Sequence, residues 1–282
     1  MMLPDLKLRQ TPISTSPSAS FTWFLETFKL IKGNLLQFYL VTLITPILMF
    51  LCSVFVPFLG IILSSIIYTF YCAAMFNACL KKQKTQSLTF SDFLTFNPQT
   101  IKPLMVISTL FLSLNILFSI PFQSSISEFV KIIAMENKVI EDFSYETLSL
   151  YFNEIQTKYP EITSKLISSF AIFVIGLCII EAMMFFTPGI ISIHKNINIM
   201  DAIKLNFIGL LKNSISFITY GLILSVILLC LFFILNFFGV FLFFMLLKVS
   251  SFAAYQEIFV EIKTNKDHQA PYNNTDLDSR DF

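Results

Sequence analysis

Apolar residues occur along this chain in long runs separated by short polar blocks. The stretch from Gly33 to Leu80 contains no Asp, Glu, Lys or Arg, and its length fits two membrane spans of about 20 residues each. Taken along the whole chain, the runs predict six transmembrane helices. We place them at residues 35–56, 60–80, 104–122, 166–187, 214–235 and 239–260. The predicted fold is therefore all-α, that of a polytopic helical membrane protein.

Two of the apolar runs are too long for one helix, and each contains residues that favour a turn. The first has Pro57 and Gly60 in the sequence PFLG, and the second has Asn236 and Gly239 in the sequence NFFG. Proline and glycine end helices, and glycine and asparagine accept positive φ. Each run therefore predicts a tight helical hairpin.

The chain also resembles itself at an offset of 179 residues. This offset superposes Asn34 on Asn213 and Gly60 on Gly239, and it aligns several apolar residues between them. A degenerate third copy starts near Phe90, which would give three hairpins related as parallel repeats.

Amphipathic segments precede the first and last hairpins. Apolar residues recur at helical spacing in residues 21–31 and again in residues 203–211, and Trp23 lies in the first segment. Such segments are typical of helices that lie in the headgroup layer, with Trp23 at the polar boundary. The alternative is that each segment is an extension of the following span.

The distribution of lysine and arginine predicts the orientation. Fourteen basic residues lie on the side that holds both termini, and four lie in the one long loop on the other side. Because basic residues accumulate in cytoplasmic segments, both termini are expected in the cytoplasm.

The remaining segments complete the expected domain organisation. Residues 1–20 and 263–282 are expected to be disordered cytoplasmic tails, and residues 21–262 to form a single membrane domain. The loop 123–165 is expected to form a small acidic helical cap, either a docking surface or a lid over the bundle.

Composition excludes several classes of function. Hydrophobic residues make up 55% of the chain, charged residues only 13%, and the net charge is +1, so a basic surface for nucleic acid is not expected. All five cysteines lie in apolar runs without a CxxC pair, which indicates neither a disulfide framework nor a metal site. No cofactor is expected, and no motif of an enzyme is present.

Two ionisable residues lie inside predicted spans and are the candidate functional residues. Glu181 is in the fourth span and Lys248 is near the middle of the sixth. Charges in hydrocarbon are costly and often functional. In one interpretation the two residues pair inside the bundle and fix the helix register, or each side chain extends separately towards a wetter region. In the other they form a proton or ion relay, or a counter-charge for a substrate, in a water-filled cavity. Asn115 in the third span is expected to form a hydrogen bond between helices, and Pro188 is expected to close the fourth span.

Several segments carry a resemblance to a known family. The segments RQTPISTSPSASFTWFLETFKLIKGN, PFLG, FYCAAMFNACLKKQ, MMFFTPGIISIHKNINIMDAIKLNFIGLLKN and FAAYQEIF resemble a family of uncharacterised six-span bacterial inner-membrane proteins. A weaker similarity links TPGIISIHKNINIMDAIKLNF to the membrane repeats that accompany glycerophosphodiesterases. The resemblance implies a bacterial cytoplasmic membrane and six helices, and it supplies no established activity or site residues.

The expected function is that of a non-enzymatic membrane protein that organises lipids or binds partner proteins. The expected partners are the lipid bilayer and either other membrane proteins or further copies of the chain. The alternative is a small transporter or channel-like protein that uses Glu181 and Lys248.

Overall fold

Among the residues that the computed structural model describes, six helices are long and apolar enough to cross a membrane, which confirms the predicted multi-pass helical fold. The structure describes residues 6–135, 145–194 and 196–261. The six crossing segments are Leu35–Phe55, Leu59–Thr85, Pro98–Ile132, Pro160–Ile193, Ser214–Leu235 and Phe237–Phe259. Each consists largely of residues whose transfer from water to hydrocarbon is favourable.

The helices and strands follow one another with short connections. The α-helices are α1 (Ala19–Ile31), α2 (Leu35–Phe55), α3 (Pro57–Thr85), α4 (Pro98–Met135), α5 (Tyr145–Lys158), α6 (Pro160–Met184), α7 (Thr187–Ile193), α8 (Ile199–Lys212), α9 (Ser214–Leu235) and α10 (Phe237–Phe259). A 3-10 helix covers Phe90–Phe93, and two short strands, β1 (Lys7–Leu8) and β2 (Val260–Glu261), form an antiparallel pair.

Three hairpins make up the bundle, as the sequence predicts. The first pairs α2 with α3, the second α4 with α6, and the third α9 with α10. One end of the bundle carries α1, the 3-10 helix and α8, each lying directly before the first long helix of a hairpin. We call this end the basic end, because most of the described lysine and arginine residues lie there.

The turns of the first and third hairpins are tighter than expected. Only Val56 separates α2 from α3, and Pro57 occupies the first turn of α3. Likewise only Asn236 separates α9 from α10, with a φ of 51°. Gly60 and Gly239 are therefore not turn residues but lie in the first turn of the following helix.

These two glycines allow the helices of a hairpin to touch. A Cβ atom on Gly60 would collide with the carbonyl oxygen of Cys52, and one on Gly239 would collide with that of Leu231. Both contacts join residues eight positions apart, and the same offset of 179 residues relates one contact to the other. The first and third hairpins thus share a backbone geometry, which supports the internal repeat.

The segment α1 is a separate helix and not an extension of α2. Gly33 has a φ of +78° and interrupts the chain between Ile31 and Leu35. The apolar residues of α1 divide into two faces, one buried and one exposed. Trp23 belongs to the buried face, is 1% exposed and donates a hydrogen bond from Nε1 to Glu257 at 2.7 Å, so its expected position at the polar boundary is wrong.

The second hairpin extends well beyond the other two. The helix α4 has 38 residues, which at 1.5 Å per residue is about 57 Å, nearly twice the thickness of a hydrocarbon core of about 30 Å. Near the far end of this hairpin, Glu128 of α4 and Lys165 of α6 form an ion pair at 2.8 Å. The short helix α5 packs on α6. The described parts of the predicted cap 123–165 are therefore helical, and residues 136–144 lie outside the described residues.

The expectation that residues 1–20 are disordered is wrong for the described residues 6–20. Besides the β1–β2 pair, the backbone N–H of Arg9 donates to Phe259 at 2.8 Å and that of Ile13 donates to Ile258 at 3.1 Å. This stretch satisfies its backbone hydrogen bonds on α10 and β2, which compensates for the ordering of a polar segment. The remaining tail residues, 1–5 and 262–282, lie outside the described residues.

Candidate functional site

Lys248 lies in the middle of α10 and is 5% exposed. Its ammonium is 3.4 Å from the hydroxyl oxygen of Tyr68 and 5.2 Å from the centre of the Tyr68 ring. The ring therefore offers the cation both a polar edge and a π face. The thiol of Cys72 and the hydroxyl of Tyr71 are near enough to interact electrostatically with the ammonium.

Glu181 lies near the end of α6, where its side chain is exposed on the outer surface of the bundle. The hydroxyl of Tyr68 donates a hydrogen bond to the Oε2 atom of Glu181 at 2.9 Å. Among the described residues, no ion pair within 4.0 Å joins Lys248 to Glu181. The two side chains therefore form no direct ion pair, and Tyr68 lies between the two charges.

This junction is where the three hairpins meet. Tyr68 belongs to α3, Glu181 to α6 and Lys248 to α10, which are the second long helices of the first, second and third hairpins. Phe111 of α4 stacks on the Tyr68 ring with centroids 6.2 Å apart. The hydroxyl of Ser65 also donates to the carbonyl of Ser108 at 2.8 Å. Polar groups from all three hairpins thus converge at one depth of the bundle.

The arrangement can in principle exchange a proton. A tyrosine hydroxyl both donates and accepts, a lysine ammonium only donates, and an ionised carboxylate only accepts. Tyr68 donates to Glu181 and can accept from Lys248, so one hydroxyl connects a buried cation with an exposed acid. We call these three residues the Tyr68 junction.

The fourth crossing is interrupted four residues after Glu181. The helix α6 ends at Met184, and α7 starts at Thr187 with Pro188 in its first turn. All residues of 187–192 are buried. The expectation that Pro188 closes the span is wrong, because the chain continues as a buried helical segment. Gly189 lies against the ring of Phe76 of α3, where a Cβ atom would collide.

Asn206 of α8 stabilises the break between α6 and α7 through hydrogen bonds. This residue was not identified from the sequence. Its side chain is completely buried, and Nδ2 donates to the carbonyls of Ala182 at 2.7 Å and Met183 at 3.2 Å. Its Oδ1 accepts from the backbone N–H of Phe186 at 3.2 Å. The amide supplies the partners that a broken helix loses in an apolar environment. The signal available in the sequence was its position on the apolar face of the segment, three residues after Ile203.

The two repeat asparagines, Asn34 and Asn213, precede the first long helices of their hairpins, and each binds an extended segment of another repeat. Asn34 donates to the carbonyl of Leu88 at 3.0 Å, and its Oδ1 accepts from the buried ammonium of Lys82 at 2.6 Å. Leu88 lies directly before the 3-10 helix of the second hairpin.

Asn213 has the equivalent role in the last repeat. It accepts from the backbone N–H of Thr15 at 2.6 Å and donates to the carbonyl of Ile13 at 2.9 Å. The segment that it binds leads into α1. The asparagines thus join the first repeat to the second and the third repeat to the first.

Two other polar residues, Asn115 and His194, have hydrogen-bond partners inside the protein. Asn115 donates to the carbonyl of Phe111 in its own helix at 3.0 Å, so it does not join two helices. His194, which follows α7, lies 2.6 Å from the hydroxyl of Tyr255. Burial lowers the pKa of His194 to about 4, so the imidazole is neutral at neutral pH. Among the described residues, no group of three or more His, Cys, Asp or Glu residues could hold a metal ion.

Comparison of this chain with protein-family models, with curated proteins and with solved structures finds no match.

Proposed function

We propose that this chain is a non-enzymatic protein of a bacterial cytoplasmic membrane that organises lipids or partner proteins at the cytoplasmic surface. The observation that carries the proposal is the exposed apolar face of α1. Phe21, Leu25 and Phe28 lie on one side of this helix and are 58%, 60% and 46% exposed. The opposite side is buried against the bundle.

The other two elements of the basic end share this property. Phe90 and Leu94, in and after the 3-10 helix, are exposed, as are Met200 and Leu211 of α8. Helices with one apolar side and nearby lysines insert shallowly at the boundary between headgroups and acyl chains. Three such elements around one bundle would order the lipids of one leaflet or present a surface to a partner protein or a second copy of the chain.

The orientation follows from charge. The basic end carries most lysines and arginines, and such residues are concentrated on the cytoplasmic side of membranes. We infer that the described ends of the chain, at residues 6 and 261, lie in the cytoplasm. The exposed face of α1 would then contact the inner leaflet.

Reconstitution tests this proposal. Purified protein in liposomes that contain a self-quenching fluorescent phosphatidylglycerol should lower the fluorescence by clustering the lipid, and should pass no more solute or ions than empty liposomes do. The triple variant Phe21→Ser, Leu25→Ser, Phe28→Ser should lose the quenching, whereas Phe21→Leu with Phe28→Leu should keep it. Equal quenching by all three proteins, or flux above the empty liposomes, would overturn the proposal.

A second candidate function is that of a small transporter or channel-like protein, and the Tyr68 junction favours it. The junction connects the buried Lys248 with the exposed Glu181, next to the break between α6 and α7. Interrupted helices and intramembrane charges are features of transport pathways. This candidate predicts proton flux, measured with a pH-sensitive dye inside liposomes, that Tyr68→Phe reduces at least ten-fold. Flux that is absent, or unchanged in that variant, excludes it.

A further inference from the structure

An apolar groove lies beside the first hairpin at the basic end. It is bounded by α2, α3 and the 3-10 helix with the residues that follow it, and its volume is about 210 Å³. Its floor includes Tyr71, Ala74 and Phe93, which are buried, and its mouth includes Ile44 and Leu94, which are exposed. The groove therefore opens on the surface of the bundle that faces the membrane.

Among the described residues that line the groove, no side-chain hydroxyl is free. Thr45 and Tyr71 are the two lining residues with hydroxyls, and both hydroxyls have partners inside the protein. Thr45 donates to the carbonyl of Val41 at 2.8 Å, and the Tyr71 hydroxyl is 3.0 Å from that of Thr42. Water in this groove would lack the polar partners that it needs, so an apolar occupant is favoured.

The position of the groove identifies this occupant. Lining residues Val41 and Leu48 are six and thirteen residues after the start of α2, or roughly 9 and 20 Å along the helix. Half of a hydrocarbon core is about 15 Å thick, so the part of the groove nearer the start of α2 lies at the depth of the acyl chains of one leaflet, and its deep end reaches the middle of the bilayer. Apolar cavities of about 150 Å³ accept a benzene molecule, and this groove has room for a segment of a hydrocarbon chain.

The 3-10 helix limits the groove at the headgroup level and is itself held in place. Asp92 forms an ion pair with Lys81 of α3 and accepts a hydrogen bond from the backbone N–H of Thr89 at 2.8 Å. Phe93 packs edge-on against Phe38 of α2 at 5.2 Å. The groove is thus a preformed feature with fixed walls, and preorganised walls reduce the cost of ordering a ligand.

We propose that this groove binds one acyl chain of a phospholipid from the leaflet at the basic end and retains that lipid more firmly than the surrounding bilayer lipids. The inference rests on the proposed function, because it names a phospholipid as the lipid that the protein organises. The chain enters from the side, between Ile44 and Leu94, and lies against Ala74.

Photo-crosslinking tests this assignment. The protein is reconstituted with phosphatidylethanolamine that carries a diazirine in one acyl chain, irradiated, digested and mapped by mass spectrometry. Labels should concentrate in residues 41–48, 67–74 and 90–96. Ala74→Phe, which fills the floor, should reduce this labelling at least five-fold. Ile44→Trp alters only the exposed mouth and should also reduce the labelling. This second variant keeps the test valid even where Ala74→Phe fails to fold. Ile218→Trp, on the exposed surface of α9, is the matched control and should leave the labelling unchanged.

The outcomes separate this site from the proposed function. Concentrated labels that the groove variants remove support the site even where the protein fails to cluster phosphatidylglycerol. Labels spread evenly over α9 and the groove, or unaffected by Ile44→Trp, would overturn it. Labelling by a free diazirine fatty acid but not by the phospholipid would overturn the choice of a phospholipid.

Discussion

Tyr68 donates a hydrogen bond to Glu181 across 2.9 Å and so connects the first hairpin with the second. The same hydroxyl is 3.4 Å from the ammonium of Lys248, which belongs to the third hairpin. A single phenol therefore bridges two charges that do not touch each other. Because the three residues come from three hairpins, the junction connects all of the repeat units at once.

Removal of this hydroxyl should weaken the coupling between the two charges. We expect Tyr68→Phe to lower the free energy of unfolding by about 0.5–2 kcal/mol, the range measured for polar contacts between membrane helices. Thermal unfolding in detergent of Glu181→Gln, Lys248→Met and the double variant gives the coupling between the charges. That coupling should be measurable with Tyr68 present and should be smaller in the Tyr68→Phe background, where only the through-space attraction remains. A coupling of unchanged size without the hydroxyl would show that Tyr68 does not connect the charges.

Close helix contact in the hairpins should depend on Gly60 and Gly239. We expect Gly60→Ala and Gly239→Ala each to destabilise the protein by about 1–3 kcal/mol, because the added methyl group meets a backbone carbonyl that cannot move aside. Gly221→Ala in α9 is the matched control. A Cβ atom there meets nothing within 4 Å, so this variant should be neutral or stabilised by up to about 1 kcal/mol. Unfolding temperatures of the three purified variants measure these effects. Equal changes at all three positions would contradict the role assigned to Gly60 and Gly239.

Hydropathy predicted the six spans and three hairpins because the need to avoid polar groups in hydrocarbon leaves a strong signal in sequence. Glu181 and Lys248 were identified for the same reason. Tyr68 was not, because a tyrosine in an apolar run carries no charge, and its partners depend on how three hairpins pack. Asn206 was missed because an amphipathic helix contains polar residues in any case. Residues 6–20 have the composition of a flexible tail, and contacts that form only in the folded protein order them, with α10, with β2 and with the amide of Asn213.

Asn213 should hold the segment that leads into α1. It is 1% exposed, and its side chain binds both the backbone N–H of Thr15 and the carbonyl of Ile13. We expect Asn213→Ala to cost about 1–3 kcal/mol, since two partly buried backbone groups each lose a hydrogen bond of about 0.5–1.5 kcal/mol, and to speed amide hydrogen exchange in residues 9–16. Thr22→Ser, at an exposed position of α1, is the control and should leave exchange unchanged. Exchange that rises equally along the whole chain would indicate general unfolding rather than release of this segment.

Stability should fall in mild acid because of His194. Burial lowers its pKa to about 4, whereas the unfolded chain has the ordinary value of about 6.5. Between these values the unfolded state binds a proton that the folded state does not, so stability decreases as pH falls from about 6.5 to about 4 and then levels off.

The replacement His194→Gln, which keeps a polar group beside the hydroxyl of Tyr255, isolates this effect. The other titrating groups contribute equally to both proteins, so the difference between their unfolding temperatures reports on the imidazole alone. We expect this difference to change steadily between pH 7 and pH 4.5, with the wild-type protein losing more stability than the variant. Parallel pH profiles would mean that His194 takes up its proton as readily in the folded protein as in the unfolded chain.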